Sequence, residues 1–137
     1  MKLLFSFTLL VFILFTSSAY SKVPLWQEDI DTAFKMAQEN QKNIIIMVED
    51  EDCRWCIKMK KGTLSNEAVQ KKLQKFILTK IDRNDNKNME SIEGLRGPIP
   101  SFHFFTPQKK RIDTIAGYYQ AEDFLEYINE IIEDTLQ

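Results

Sequence analysis

The chain has 137 residues, a net charge of −2, 28% charged residues and two cysteines. That length suits one domain with a core of its own, large enough to fold without staples. The mild acidity, with lysines and acids interspersed along the chain, gives no support for nucleic-acid binding, which usually shows a basic patch.

The first 21 residues read as a secretory signal. Lys2 gives a positive start, Leu3 to Phe15 form an uncharged apolar stretch of 13 residues, and Thr16 to Ser21 are mostly small. This is the pattern of a cleaved leader, and the apolar stretch is shorter than the roughly 20 residues of a membrane anchor. Cleavage after Ala19 and cleavage after Ser21 fit equally well. No cysteine lies near either point, which speaks against a lipid anchor. The expected organisation is a signal peptide over 1–21 and one domain over 22–137.

Ile30, Ala33, Phe34 and Ala37 recur at helical spacing, with Glu28, Asp29 and Asp31 at the end that favours acids, and Asn40 to Asn43 close this helix. Ile44 to Val48 is a continuous apolar run, which reads as a strand buried on both faces. Cys53-Arg54-Trp55-Cys56 follows, and a helix continues from Ile57 to Lys61 until Gly62. Ser65 or Asn66 caps another helix, with Ala68, Val69 and Leu73 as its apolar positions. Phe76 to Ile81 is the next strand, Asp82 to Asn88 a polar loop, and Met89 to Leu95 a short helix. After Gly97-Pro98-Ile99-Pro100 come a strand from Ser101 to Thr106, a turn from Pro107 to Lys110, and a partner strand from Arg111 to Ile115. Beyond Gly117 the last helix carries Phe124, Leu125, Ile128, Ile131 and Ile132 on one face. Parallel strands joined through helices, then an antiparallel hairpin, predict an α/β fold: a three-layer α/β/α sandwich around a mixed sheet.

The two cysteines stand three positions apart where a strand feeds a helix, so they can close a small disulfide and reopen it. The first sulfur then lies near a helix N-terminus, which favours a thiolate, the species that attacks disulfides. Outside the cytoplasm a cysteine pair is usually a staple, but a disulfide closing so short a loop stabilises little. The spacing therefore points to redox chemistry. A zinc site would need two further ligands, and His103 is the sole histidine. We expect no metal and no organic cofactor.

The pattern resembles the thioredoxin-like superfamily over nearly the whole mature chain. Three features carry the resemblance: Cys53-Arg54-Trp55-Cys56 between strand and helix, Gly94-Leu95-Arg96-Gly97-Pro98-Ile99-Pro100-Ser101 before the aromatic strand, and the ending of strand, turn, strand, Gly117 and helix. Within it the chain is most similar to the exported thioredoxin-related thiol:disulfide oxidoreductases. A tryptophan-led helix over Trp26 to Lys42, Met59 three residues after Cys56, and Thr63, Leu64, Asn66 and Val69 match that group. The chain departs from cytosolic thioredoxins in its Arg-Trp dipeptide, in Met47 at the buried strand aspartate, and in Asp52 before the first cysteine.

The resemblance implies a thioredoxin fold with Cys53 as nucleophile, Cys56 as resolving cysteine, Pro100 as a cis-proline facing them, and Ile99 as the residue whose backbone pairs with bound substrate. Arg54 and Trp55 lie in the substrate-binding dipeptide. Trp55 is either an apolar contact for partner chains or a residue packed on the protein's own surface. Glu49 shares a side of its strand with Met47 and is the candidate proton shuttle for Cys56; otherwise it is a solvated acid at a strand end. Arg54 and the helix favour a Cys53 thiolate, whereas Glu49, Asp50, Glu51 and Asp52 oppose it. That balance leans to a reductase or a moderate potential. His103 reads as a hydrogen-bonded core residue. Tyr118 and Tyr119 read as packing for the last helix, and Lys58, Lys60, Lys61, Lys71, Lys72 and Lys75 as solvated helix faces.

The expected function is disulfide reduction or exchange in exported proteins, in a bacterial periplasm, by a monomer that serves cell redox homeostasis. A membrane protein would supply its electrons. The rivals are a disulfide oxidase or isomerase of the same fold, and a binding module whose cysteines capture a metal or a partner without turnover.

Overall fold

The computed structural model describes residues 23–134, so the signal peptide expected over 1–21 lies outside the described residues. The elements are β1 (Trp26–Gln27), α1 (Ile30–Asn40), β2 (Ile44–Glu49), α2 (Arg54–Lys61), a 3-10 turn (Thr63–Ser65), α3 (Glu67–Leu73), β3 (Ile77–Asp82), α4 (Asn86–Glu90), β4 (Ser101–Phe105), β5 (Arg111–Ala116) and α5 (Ala121–Asp134). The five strands form one sheet in the order β1-β3-β2-β4-β5. β1 and β2 run parallel to β3, while β4 runs antiparallel to both β2 and β5. Among the described residues no helix is long and apolar enough to cross a membrane.

β2 holds the centre, and all six of its residues are buried. Ile45 and Met47 face a core built with Met59, Val69, Leu73, Phe102, Phe104, Phe124 and Ile128. Ile44, Ile46 and Val48 face a second core with Ile30, Phe34, Met89 and Phe105. Helices α2, α3 and α5 therefore cover one side and α1 and α4 the other. This is the expected sandwich, reached because a strand apolar on both faces must be covered twice.

The helix starts follow their caps. Asp29 accepts the Thr32 N–H at 2.8 Å, and Asn66 accepts those of Ala68 and Val69, so Asn66 rather than Ser65 opens α3. Two expectations need correction. The short helix runs over Asn86–Glu90, not over Met89 to Leu95. Asp85 caps it through the Asn88 N–H, and Gly94 at φ +78 keeps the backbone beyond it out of helical geometry. The tryptophan-led helix does not begin at Trp26, because Trp26 and Gln27 pair with Leu78 and Thr79 as a short edge strand. Two residues are too few to show alternation, so only the tertiary pairing reveals it.

His103 is buried in a polar row on β4 and β5. Its Nδ1 lies 2.9 Å from Nη1 of Arg111 and 3.2 Å from Oγ1 of Thr114, and its Nε2 lies 2.9 Å from Oγ of Ser101. A guanidinium can only donate, so Nδ1 accepts and the ring proton sits on Nε2, which donates to Ser101. Arg111 also donates to the Glu93 carbonyl and covers the Phe105 ring at 4.6 Å. Desolvation, reinforced by the Arg111 charge, lowers the His103 pKa to about 4.

Two predictions concern these buried groups. Thr79 is fully buried, and its hydroxyl has no hydrogen-bond partner among the described residues. Thr79→Val should therefore raise stability by about 1 kcal/mol in urea unfolding, and a loss would mean that the hydroxyl is satisfied. Between pH 6.5 and about 4 the unfolded chain binds a proton at His103 that the folded chain refuses. Stability should fall as pH drops through that window, by an amount on the order of 3 kcal/mol. His103→Gln should flatten this part of the profile, and identical slopes in both proteins would count against the assignment.

Candidate active site

The site forms where β2 leaves the core. The chain turns at once, because the Asp50 side chain accepts the Asp52 N–H at 2.9 Å and the Asp50 carbonyl accepts the Cys53 N–H at 3.1 Å. This turn delivers Cys53 as the N-cap of α2, with extended backbone angles of φ −77 and ψ 107. The Cys53 sulfur accepts the Cys56 N–H at 3.1 Å, taking the place of the usual serine or aspartate oxygen. Cys53 and Cys56 are joined in a disulfide with Cα atoms 5.2 Å apart. Cys53 is half-buried, whereas Cys56 is 0% exposed. One sulfur is thus open to a second chain, and the other is reached only through the first.

Glu49 is the last residue of β2 and only 7% exposed. It forms ion pairs with Lys60, one helical turn beyond Cys56, and with Lys80 at 3.9 Å. Lys80 stands opposite Met47 in the β2–β3 register, so the carboxylate lies on the Met47 side of the strand, beneath α2. A cleft of about 210 Å³ lined by Met47, Lys60, Leu64 and Lys80 among others opens beside this trio. The reading of Glu49 as a solvated acid fails on its burial, and the reading of Lys60 as a solvated lysine fails on its partner. The signal for Lys60 was its i+4 spacing from Cys56; for Lys80 it was the pairing of β3 with β2.

The Ile99–Pro100 peptide bond is cis. Val48 pairs with Ser101, so Pro100 falls one residue beyond the strand pair, level with the end of β2. Pro100 is buried and Ile99 half-buried, and the Pro100 carbonyl accepts the Gly117 N–H at 2.7 Å. That bond ties the proline loop to the segment entering α5.

Trp55 is 44% exposed and packs against Tyr118 with ring centres 5.6 Å apart. One face is thus packed on the protein's own surface and the other is open. Lys58 Nζ lies 5.1 Å from the Trp55 ring centre and 4.4 Å from that of Tyr118, and the Arg54 guanidinium lies 5.1 Å from Trp55. The contact of Tyr118 with Trp55 was not foreseen, because nothing local in the sequence ties position 118 to position 55. His103 takes no part; its contacts are those of the polar row. No group of three or more metal-ligating side chains occurs among the described residues.

Comparison with known proteins agrees with this geometry. The thioredoxin-like domain family matches residues 30–132. The structure of a thioredoxin from Thermus thermophilus superposes with a TM-score of 0.70 at 20% identity, over 79% of this chain and 87% of that one. The oxidised C-terminal domain of DsbD from Neisseria meningitidis gives 0.63 at 20% identity, over 77% of this chain and 98% of that domain. In sequence, the thiol:disulfide interchange protein DsbD of Campylobacter jejuni is 30% identical over 122 residues, which is 83% of this chain and 21% of that protein. The chain spans 13% to 21% of the length of the curated relatives it matches. It belongs to the thioredoxin-like domain family, with Cys53 and Cys56 as a cysteine pair of the thiol:disulfide oxidoreductase type.

Proposed function

We propose that the protein is a periplasmic thiol:disulfide oxidoreductase that reduces or exchanges disulfides in exported proteins. The observation that carries the reading is the asymmetry of the pair: a half-buried Cys53 sulfur receiving a backbone N–H at a helix N-terminus, and a Cys56 closed off from solvent. That environment favours the thiolate at Cys53. In the forward step the Cys53 thiolate attacks a substrate disulfide, forms a mixed disulfide and releases one substrate thiolate. Cys56, deprotonated, then attacks the Cys53 sulfur and releases the second substrate thiol. The protein ends as the 53–56 disulfide, oxidised by two electrons, and the substrate as a dithiol. A membrane protein is the proposed source of the electrons that reopen the disulfide.

Glu49 is the proposed acceptor of the Cys56 proton, held beneath α2 by Lys60 and Lys80. The backbone of Ile99, set by Pro100, is proposed to pair with the substrate chain as an added strand. Arg54 and Trp55 contact that chain beside the nucleophile. The signal-like pattern of residues 1–21 supports export, and the similarity to a thiol:disulfide interchange protein supports the same chemistry in that setting. The exposed acids Glu51 and Asp52 next to Cys53 weaken a thiolate there, which supports the reducing direction over a strong oxidant.

Equilibration with a glutathione or thioredoxin standard tests the direction. We expect a potential near the ~ −270 mV of thioredoxin, and a value near the ~ −120 mV of a strong oxidant would reverse the assignment. In the same preparation Cys56→Ser should trap a mixed disulfide with client protein and Cys53→Ser should trap none; the opposite pattern would exchange the two roles. Glu49→Gln should slow resolution of the mixed disulfide about tenfold or more in single-turnover kinetics, with a much smaller effect on the first attack. An unchanged resolution rate would remove Glu49 from the mechanism.

A further inference from the structure

The solvent face of α2 carries charge that the fold does not use. Arg54 and Lys58 are both exposed and stand at i and i+4, so two like charges share one face, an arrangement that destabilises a helix. Neither is in a salt bridge among the described residues, a state they share with several other surface cations; what sets them apart is their place beside Cys53. Both lie against the Trp55 ring, and Lys58 also caps Tyr118. Contacts of this kind hold the cations in place and leave their outward N–H groups free. On the other side of Cys53 the exposed residues are Glu51 and Asp52. The nucleophile thus stands on a boundary, with acid before it and an aromatic patch bearing two unpaired cations after it.

We propose that Arg54, Lys58, Trp55 and Tyr118 form a docking surface that selects acidic polypeptide segments flanking a disulfide, a reading that rests on the oxidoreductase function above. Tyr118 directly follows Gly117, whose N–H is bonded to the Pro100 carbonyl, so a substrate chain paired along Ile99 would run past Tyr118 toward Lys58. An acidic side chain at that point meets two cations. Rigid aromatic rings beside an arginine make the rest of an interface hot spot. A basic segment in the same place meets Arg54 and Lys58 as like charges. Specificity here comes from attraction on one side of the sulfur and repulsion on the other.

The test uses reduced full-length protein and two synthetic peptides, each a disulfide-linked dimer through one cysteine. The two are identical except for aspartates or lysines placed only on the side of that cysteine that meets Arg54 and Lys58, with neutral residues on the side that meets Glu51 and Asp52. Each turnover transfers two electrons from the Cys53–Cys56 dithiol to the peptide disulfide, so peptide thiol release reports the rate. At low salt the acidic peptide should react about fivefold faster, the size expected from two exposed charge pairs. About 0.5 M salt should erase most of the difference. Lys58→Glu should bring the ratio to one or below. Lys71→Glu, the same charge change at an exposed site on α3, should leave it within twofold. Equal rates for the two peptides, or equal effects of the two substitutions, would overturn the docking surface and leave the oxidoreductase reading standing. If neither peptide nor a small uncharged disulfide is reduced, that reading falls and this one with it.

Discussion

Everything at the active end of this molecule depends on β2 being buried on both faces. A strand with six buried residues cannot slip by one position, because each would exchange one apolar side for the other and lose its fit to both cores. Its register against β3 and β4 is therefore fixed, and so is the point where it ends. Glu49 closes it, four residues before Cys53. The neighbouring strands bring Lys80 to one side and the Ile99–Pro100 peptide to the other. The reactive cysteine inherits its position from packing that involves no reactive group.

The chemistry placed there is a contest of modest terms. One backbone N–H and the start of α2 favour negative charge on the Cys53 sulfur, and two exposed acids oppose it. Neither set is enclosed enough to dominate. The strong electrostatics are kept one turn away, where Glu49 is buried between two lysines. This division separates the half-open sulfur from the buried, paired carboxylate. The same cysteine spacing can thus serve different potentials in different surroundings.

Much of the fold was legible because its elements obey one period each. The β2 run, the cap at Ser65 or Asn66 and the apolar face of α5 are local signals, and the structure reproduces them with Asn66 as the cap. The cysteine pair and the proline loop were legible as spaced motifs. What escaped was whatever required two distant segments to meet. β1 exists only because β3 offers it a partner. α4 moved toward the N-terminus because Asp85 captures the Asn88 N–H, and the Asn88 side chain in turn accepts the Ile30 N–H at 2.9 Å across 58 residues. Lys60 looked like a solvated helix residue, and Tyr118 like packing for α5 alone, until the helices were set on the sheet.

β5 is an edge strand and only partly buried, yet it holds the proline loop at two points. Arg111, at its start, donates to the Glu93 carbonyl, and Gly117, just past its end, donates to the Pro100 carbonyl. Between them the strand carries one irregular step: Phe104 pairs with Asp113 but Phe105 pairs with Arg111, so Ile112 is the extra residue. That surplus residue sets the span of a brace whose two ends must reach the loop together. The edge of the sheet farthest from β1 thus acts as a ruler for the active site. A residue added to or removed from β5 would move one end of the brace against the other and shift the proline loop.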